Sequence, residues 1–308
     1  MSFNFHEKQI IINYHYVRNP SPEWGGIHPC PAAEFERQVK FLSENYRFVS
    51  VPELYEAAKS GVEEKMCAIT FDDGLRDQYE NAVPILRKYG ATATFFIITS
   101  TLSGSVPSAH KIHLLTSKIP VEKLIEMFND FLPAAQIDRR IPFDRRITDR
   151  RPNDSIATAN FKEVMIAAPE DLRAGFLAKA FVDLLINEGE LSGELFMKEL
   201  EIKALLAGGF YPESHTHNHA SLENYDLDFF RKDFAESNEK LAVVIGRQPI
   251  VMSYPHGRSN LETHSALAEY GFKYAVTIEA RCLRADDNPY MIPRYDTNHL
   301  RDYLNKLM

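Results

Sequence analysis

The sequence predicts an α/β fold on a mainly parallel sheet or barrel, and three observations carry that prediction. Short runs of β-branched and aromatic residues alternate with amphipathic stretches, as strands joined through crossover helices do. The alternation recurs at both ends of the 308-residue chain, too often for a simple sandwich. Between them, Thr101 to about Leu200 offers helical patterns without a convincing strand, which marks an inserted helical subdomain. The expected organisation is a sheet-bearing domain from residues 1–100 and 201–308, interrupted by a helical insertion at 101–200.

Gln9 to Val17 is the first expected strand. After a Pro- and Gly-bearing loop from Asn19 to Pro31, Ala32 to Asn45 places Phe35, Val39 and Leu42 on one helical face. Phe48 to Val51 reads as a second strand, and Pro52 to Ser60 as a helix with proline at its start and Gly61 as its stop. Met66 to Phe71 is a buried strand running into Asp72-Asp73-Gly74, Tyr79 to Tyr89 a helix closed by Gly90, and Ala93 to Ile98 a further strand. The C-terminal third repeats the rhythm, with strands at Phe210 to Ser214, Pro249 to Tyr254 and Phe272 to Thr277 and helices at Leu227 to Ile245 and Leu261 to Tyr270. Within the insertion, Val121 to Phe131 and Leu172 to Ile186 are helical, and Asp138 to Arg151 repeats an Asp-Arg-Arg triplet three times. That segment is either an anion-binding face or, as is commoner, a solvated loop of local ion pairs.

Bulk properties exclude several classes of function. A hydrophobic content of 44% fills a substantial core and argues against disorder. A formal net charge of −8 repels a phosphate backbone, so nucleic acid is not an expected partner. No apolar run approaches the roughly 20 residues that span a bilayer, so no transmembrane segment is expected. The opening MSFNFHEKQIIINYHYV has neither a basic leader with a long apolar stretch nor a small-residue cleavage site. Cys30, Cys67 and Cys282 are odd in number and widely spaced, which suits reduced thiols. The expectation is a cytoplasmic protein with, at most, transient contact with a membrane face; the oligomeric state stays open.

Two adjacent acids at the end of an apolar strand need a reason, because burying unpartnered carboxylates costs several kcal/mol. Consecutive strand residues point to opposite faces, so Asp72 and Asp73 cannot share one role while the strand stays regular. Gly74 supplies a turn that lets one carboxylate bind a cation while the other stands beside it as base. Further ligands are available in Ser214-His215-Thr216-His217-Asn218-His219, where His215 and His219 are four apart and would share a face of a helical turn. Asp73 plus two imidazoles makes a three-ligand site with a coordination position open for water, as in catalytic rather than structural sites. The mixed donor set suits one Zn²⁺, and Co²⁺, Ni²⁺ or Fe²⁺ would also fit. His217 falls off the shared face and reads as a supporting or exposed residue.

These residues resemble the NodB-type polysaccharide deacetylases, carbohydrate esterase family 4. The first family motif is matched by Thr70-Phe71-Asp72-Asp73-Gly74 and the second, His-Ser/Thr-x-x-His, by His215-Thr216-His217-Asn218-His219. The resemblance spans residues 8 to 100 and about 205 to 300. It implies a deformed (β/α) barrel with the site at the C-terminal ends of the strands. It also implies that Asp72 takes a proton from the attacking water, that the metal stabilises the tetrahedral oxyanion, and that acetate and a sugar amine are the products.

The sequence departs from the family at the third motif, where Arg-x-Pro-Tyr/Phe-Gly becomes Ser253-Tyr254-Pro255-His256-Gly257. Tyr254, Pro255 and Gly257 are expected to line the substrate site with His15. Arg294, in MIPRYDT after an expected final strand, is the candidate to supply the missing guanidinium to Asp72. The late Asp-Trp and histidine motifs are not recognisable, which leaves His256, His299 and His15 as candidates to protonate the leaving amine. The expected substrate is an N-acetylated saccharide, in the form of a cytosolic nucleotide- or lipid-linked precursor. The alternatives are a hydrolase of non-sugar amides or formamides and a catalytically silent sugar-binding protein.

Overall fold

The computed structural model describes residues 7–149, 154–221, 226–257 and 261–307. Its strands are β1 Gln9–Tyr14, β2 Arg47–Phe48, β3 Met66–Phe71, β4 Thr94–Ile97, β5 Tyr211–Ser214, β6 Val251–Ser253, β7 Tyr274–Val276 and β8 Tyr295–Asp296. They form one sheet in the order β7-β6-β5-β4-β3-β1-β8, with β2 paired beside β3, and every ladder is parallel. Among the described residues no ladder joins β7 to β8. The curl is closed instead by the segment leading into β8: Ala275 and Thr277 donate to Pro289 and Ile292 carbonyls, and Ile292 and Arg294 donate to Ala275 and Glu279 carbonyls. The result is the deformed (β/α) barrel the sequence implied.

Parallel strands covered on both faces carry two interleaved apolar sets. Ile10, Ile12, Ile69, Phe71, Phe95 and Ile97 face one cluster, where the Phe71 and Phe95 rings stack with centroids 4.7 Å apart. The alternate residues Ile11, Ala68, Phe96, Val251 and Val276 face the other. The two-residue period carries the second set onward to Asn13, Thr70, Asp72 and Ser253 at the C-terminal ends of β1, β3 and β6. A polar group therefore caps an apolar interior.

The helices are α1 Ala32–Asn45, α2 Val51–Lys59, α3 Val83–Lys88, α4 Ser108–Lys118, α5 Val121–Phe131, α6 Ile156–Ala167, α7 Glu170–Asp183, α8 Glu188–Leu195, α9 Glu199–Ala207, α10 Leu227–Ile245, α11 Leu261–Glu269 and α12 Thr297–Lys306. The strand expected over Phe48 to Val51 stops at Phe48. Ser50 and Glu53 form a reciprocal capping box that starts α2 at Val51. The helix expected from Tyr79 opens as a π-helical turn, Gln78–Ala82, before α3. Pro84 has no N–H to continue an i→i−4 ladder, which favours the wider turn.

Two compact units emerge, one comprising Met1–Asn19, Pro29–Ser105 and Ser192–Met308 and the other Pro20–His28 and Val106–Leu191. The helical unit is narrower than the expected 101–200. The Ser192 hydroxyl donates to the Thr101 and Ser105 carbonyls, and Phe196 bridges to Leu75, so both ends of that range belong with the sheet. The helical unit packs Phe128 and Phe161 against Phe176 and adds the short turn Pro22–Trp24. Its Asp-Arg-Arg segment is pinned from inside. Asn129 exchanges two bonds with the Ile141 backbone, and buried Asn160 reaches Pro142, Arg145 and Ile147. Arg139, Arg140 and Arg145 are exposed, Arg146 donates to the Asp154 carbonyl, and Arg150 and Arg151 lie outside the described residues.

Gly26 gives this unit a test. Its N–H donates to Ser117 Oγ, and an added Cβ would stand 2.3 Å from Thr116 Oγ1 and 2.5 Å from the His113 carbonyl oxygen. Gly26→Ala is expected to cost about 1–3 kcal/mol through overpacking. Trp24 is the chain's only tryptophan and lies two residues away, so a denaturant titration read by its fluorescence reports that loss.

Candidate active site

At the end of β3 the backbone N–H of Asp72 still donates to the Tyr14 carbonyl, so the Asp72 side chain keeps its inward parity. The chain then reverses through two consecutive left-handed residues, Asp73 at φ 77° and Gly74 at φ 67°. The turn thus begins at Asp73 itself, one residue before the glycine expected to make it. Aspartate tolerates this region better than bulkier residues. Asp73 is thereby swung to the same rim as Asp72.

Asp72 is buried, and Arg294 grips it with both arms of its guanidinium: Nη1 donates to Oδ1 and Nη2 to Oδ2, each at 2.9 Å. Asn13 Nδ2 donates to Oδ2 at 3.0 Å. Burial alone would raise the Asp72 pKa, but Arg294 and then His215 override it and hold the carboxyl well below its ordinary value. Arg294 is itself only 1% exposed and also donates to Thr277 O, Asn13 Oδ1, Thr70 Oγ1 and Ser253 Oγ. Its place in the chain differs from expectation, since it immediately precedes the last strand, β8. The serine at position 253 is small enough to leave room for that guanidinium and accepts one of its hydrogen bonds at 2.9 Å.

Asp73 Oδ1 lies 3.4 Å from Nε2 of His215 and 3.4 Å from Nε2 of His219, and the three donor atoms all fall within 4.8 Å of one another. Donors about 2.0–2.1 Å from a tetrahedral ion stand about 3.3–3.4 Å apart, so both nitrogen–oxygen separations match that geometry. His215 Nδ1 faces the Ser253 carbonyl at 2.8 Å, and a carbonyl can only accept. The proton therefore sits on Nδ1 and the Nε2 lone pair is free to face the trio. Burial alone would lower the His215 pKa, but Asp72 and then Asp73 raise it above the ordinary value. Anionic oxygen beside two imidazole nitrogens fits a divalent cation.

The helical turn expected to pair His215 with His219 is absent. Residues 215–221 form a loop with Thr216 at φ 66° and His219 at φ 54°, so the two rings meet through a tight reversal, not through helical spacing. Their centroids are 4.8 Å apart. His217 is buried off to the side, with Nδ1 2.9 Å from Thr99 Oγ1 and Nε2 3.2 Å from Glu236.

His15 is 44% exposed, with Nε2 3.8 Å from Asp72 Oδ2. His256, left-handed at φ 59°, stacks edge-on against His219 with centroids 5.0 Å apart. Pro255 and Gly257 complete the single turn that presents His256. Tyr254 does not join the rim as expected. Strand alternation after Ser253 turns it outward into the cluster of Phe230, Phe234 and Phe272, with its hydroxyl on the Tyr290 carbonyl. His299 packs on Tyr295 in α12 instead.

Asn13, Thr70 and Gln78 contribute to the site without having been given a role from the sequence, Thr70 having been read only as part of the first motif. The first two stand at inward positions of otherwise apolar strands, a signal the alternation carries. Gln78, buried at the start of the π turn, donates to the Asp72 carbonyl at 2.6 Å and the His15 carbonyl at 3.1 Å. No sequence pattern marks it.

Comparison with known proteins places this geometry in context. The family model described as polysaccharide deacetylase matches residues 59–117 and 185–275. The poly-beta-1,6-N-acetyl-D-glucosamine N-deacetylase of Staphylococcus aureus (strain MRSA252) is 31% identical over 299 residues, covering 96% of this chain and 77% of that protein. Among solved structures, the Streptococcus pyogenes deacetylase PplD in complex with acetate superposes with a TM-score of 0.62 at 20% identity, covering 96% of this chain and 97% of the other. IcaB from Ammonifex degensii does so at 0.58 and 18%, covering 94% and 91%. These two likenesses concern the fold.

Proposed function

Because the chain belongs to the polysaccharide deacetylase family, we propose that it hydrolyses the N-acetyl group of a β-1,6-linked N-acetylglucosamine saccharide, with a divalent metal held by Asp73, His215 and His219. The observation that carries this reading is the second buried carboxylate. A site that only bound metal would have no use for Asp72, oriented by Arg294 beside the ligand trio.

Asp72 accepts the proton of the attacking water, and its two-point grip by Arg294 fixes which lone pair faces that water. The metal, when bound, supplies a Lewis acid that acidifies water and polarises the acetamide carbonyl; Zn²⁺ suits the donor set, as do Co²⁺, Ni²⁺ and Fe²⁺. Of the histidines considered for returning a proton to the leaving amine, His15 stands beside Asp72 with half its ring exposed. His256 stands edge-on against the ring of His219, one of the proposed metal ligands. The choice of a β-1,6-linked saccharide rests on the Staphylococcus aureus relative's name. A cytoplasmic nucleotide- or lipid-linked precursor is the second substrate form.

Acetate release from β-1,6-linked N-acetylglucosamine oligosaccharides and from nucleotide- and lipid-linked N-acetylhexosamines separates these forms. Release is expected to disappear on chelation and return with Zn²⁺. No release from any compound by protein that still binds metal would sink the amino-sugar reading. A non-sugar amide substrate or a silent binding protein would then remain.

A further inference from the structure

The loop that carries two of the three metal donors runs through unfavourable backbone. Thr216 is β-branched and His219 bulky, yet both sit in the left-handed region, where L side chains crowd the backbone. Such a conformation persists only where its surroundings over-determine it, and here every N–H from residue 215 to 219 has a partner. His215 N donates to Ile97 O, Thr216 N to Ser214 Oγ and His219 N to Thr216 Oγ1. The two between them, His217 N and Asn218 N, both go to one side chain. Asp233 Oδ2 accepts from His217 N at 2.8 Å, and Oδ1 accepts from Asn218 N and Asn218 Nδ2, each at 2.9 Å.

Asp233 lies on α10, buried, four residues before Ser237, whose hydroxyl pairs with Ser214 Oγ at 2.8 Å. Residues four apart share a helix face. One face of α10 therefore holds the start of the reversal at Ser214 and its middle at His217 and Asn218, while Phe230 and Phe234 of the same helix are packed in an apolar cluster. Only a carboxylate has acceptors on both atoms, so no other side chain of this size can satisfy two successive backbone N–H groups and an amide together.

We propose that Asp233 is a positioning residue for the metal centre: by clamping His217 and Asn218 from α10, it holds His219 against Asp73 before any cation arrives. The inference rests on the metal reading above. With the loop held in this shape, a cation would meet donors already spaced at 3.4 Å and would not have to order them.

The test is the zinc affinity of the full-length chain, measured by competition with a chromophoric chelator, for wild type, Asp233→Asn, Asp233→Ala and Phe234→Leu. Asparagine keeps the shape but turns an NH₂ towards a backbone N–H, so the clamp fails without a cavity. Both Asp233 variants are expected to bind zinc about 10- to 100-fold more weakly, as loss of an outer hydrogen-bond partner does elsewhere. Phe234→Leu, which loosens the same helix by packing alone, is expected to stay close to wild type. Should Asp233→Ala fail to fold, Asp233→Asn carries the comparison. Equal affinity of Asp233→Asn and wild type overturns the proposal, as does an equal loss in Phe234→Leu. Wild type that binds none of Zn²⁺, Co²⁺, Ni²⁺ and Fe²⁺ overturns the metal reading itself, and this inference with it.

Discussion

Replacing Asp72 by asparagine is expected to lower kcat for acetate release by about 10²- to 10⁴-fold at unchanged metal content, the range typical of a lost general base. The substitution preserves volume and leaves the Asp73, His215 and His219 donors in place, so metal stoichiometry serves as the internal control. It removes the charge that accepts a proton and turns an amide towards one arm of Arg294, which has only donors. A variant with wild-type metal content and a kcat within tenfold of wild type would remove Asp72 from proton transfer. KM is expected to change little, because the role proposed for the carboxylate is towards water and not towards the sugar.

Arg294→Met is expected to cost about 3–5 kcal/mol in urea unfolding, the usual consequence of stripping one partner from a buried ion pair. Both partners are almost fully enclosed, at 1% exposure for Arg294 and 3% for Asp72, so little solvent screening reduces the figure. The loss extends beyond the pair, since the same guanidinium also serves Thr277, Asn13, Thr70 and Ser253. Arg294→Lys separates charge from shape. An ammonium keeps a counter-charge for Asp72 but cannot form the two-armed grip, so this variant should recover stability more than activity. Unfolding of Arg294→Met at wild-type urea concentrations would show that the pair contributes nothing net.

Where the sequence was legible, a strong period or a strong turn signal stood behind it. Met66 to Phe71, Ala32 to Asn45 and Leu227 to Ile245 match their strand and helices to the residue. Asp72 and Asp73 stood out because adjacent acids at the end of an apolar strand need a physical reason. The pairing of His215 with His219 was legible as spacing but not as conformation, because a four-residue offset arises from a helical turn or from a doubly left-handed reversal alike. What selects the reversal is Asp233, 14 residues beyond His219 on another element, and no local pattern encodes that contact. Tyr254 was misplaced for a local reason: Ser253 takes the inward position, so its neighbour must face out. Arg294 was suspected from a vacancy at position 253, but its partners are set by how residues 289–294 close the barrel.

That closing stretch ties mechanical integrity to chemistry. Pro289 and Ile292 knit the last strand's approach onto β7, Arg294 bonds Glu279 just beyond it, and the arginine's side chain then reaches Asn13, Thr70 and Asp72 on the far side of the curl. The guanidinium is a keystone, since the piece that locks the arch also aims its working group. A fluctuation that parts this join is expected to loosen the hold of Arg294 on Asp72 in the same movement. The amide protons of Ala275, Thr277 and Ile292 therefore gauge the hold on Asp72 as well as the closure of the barrel. Their exchange rates report how often this join opens.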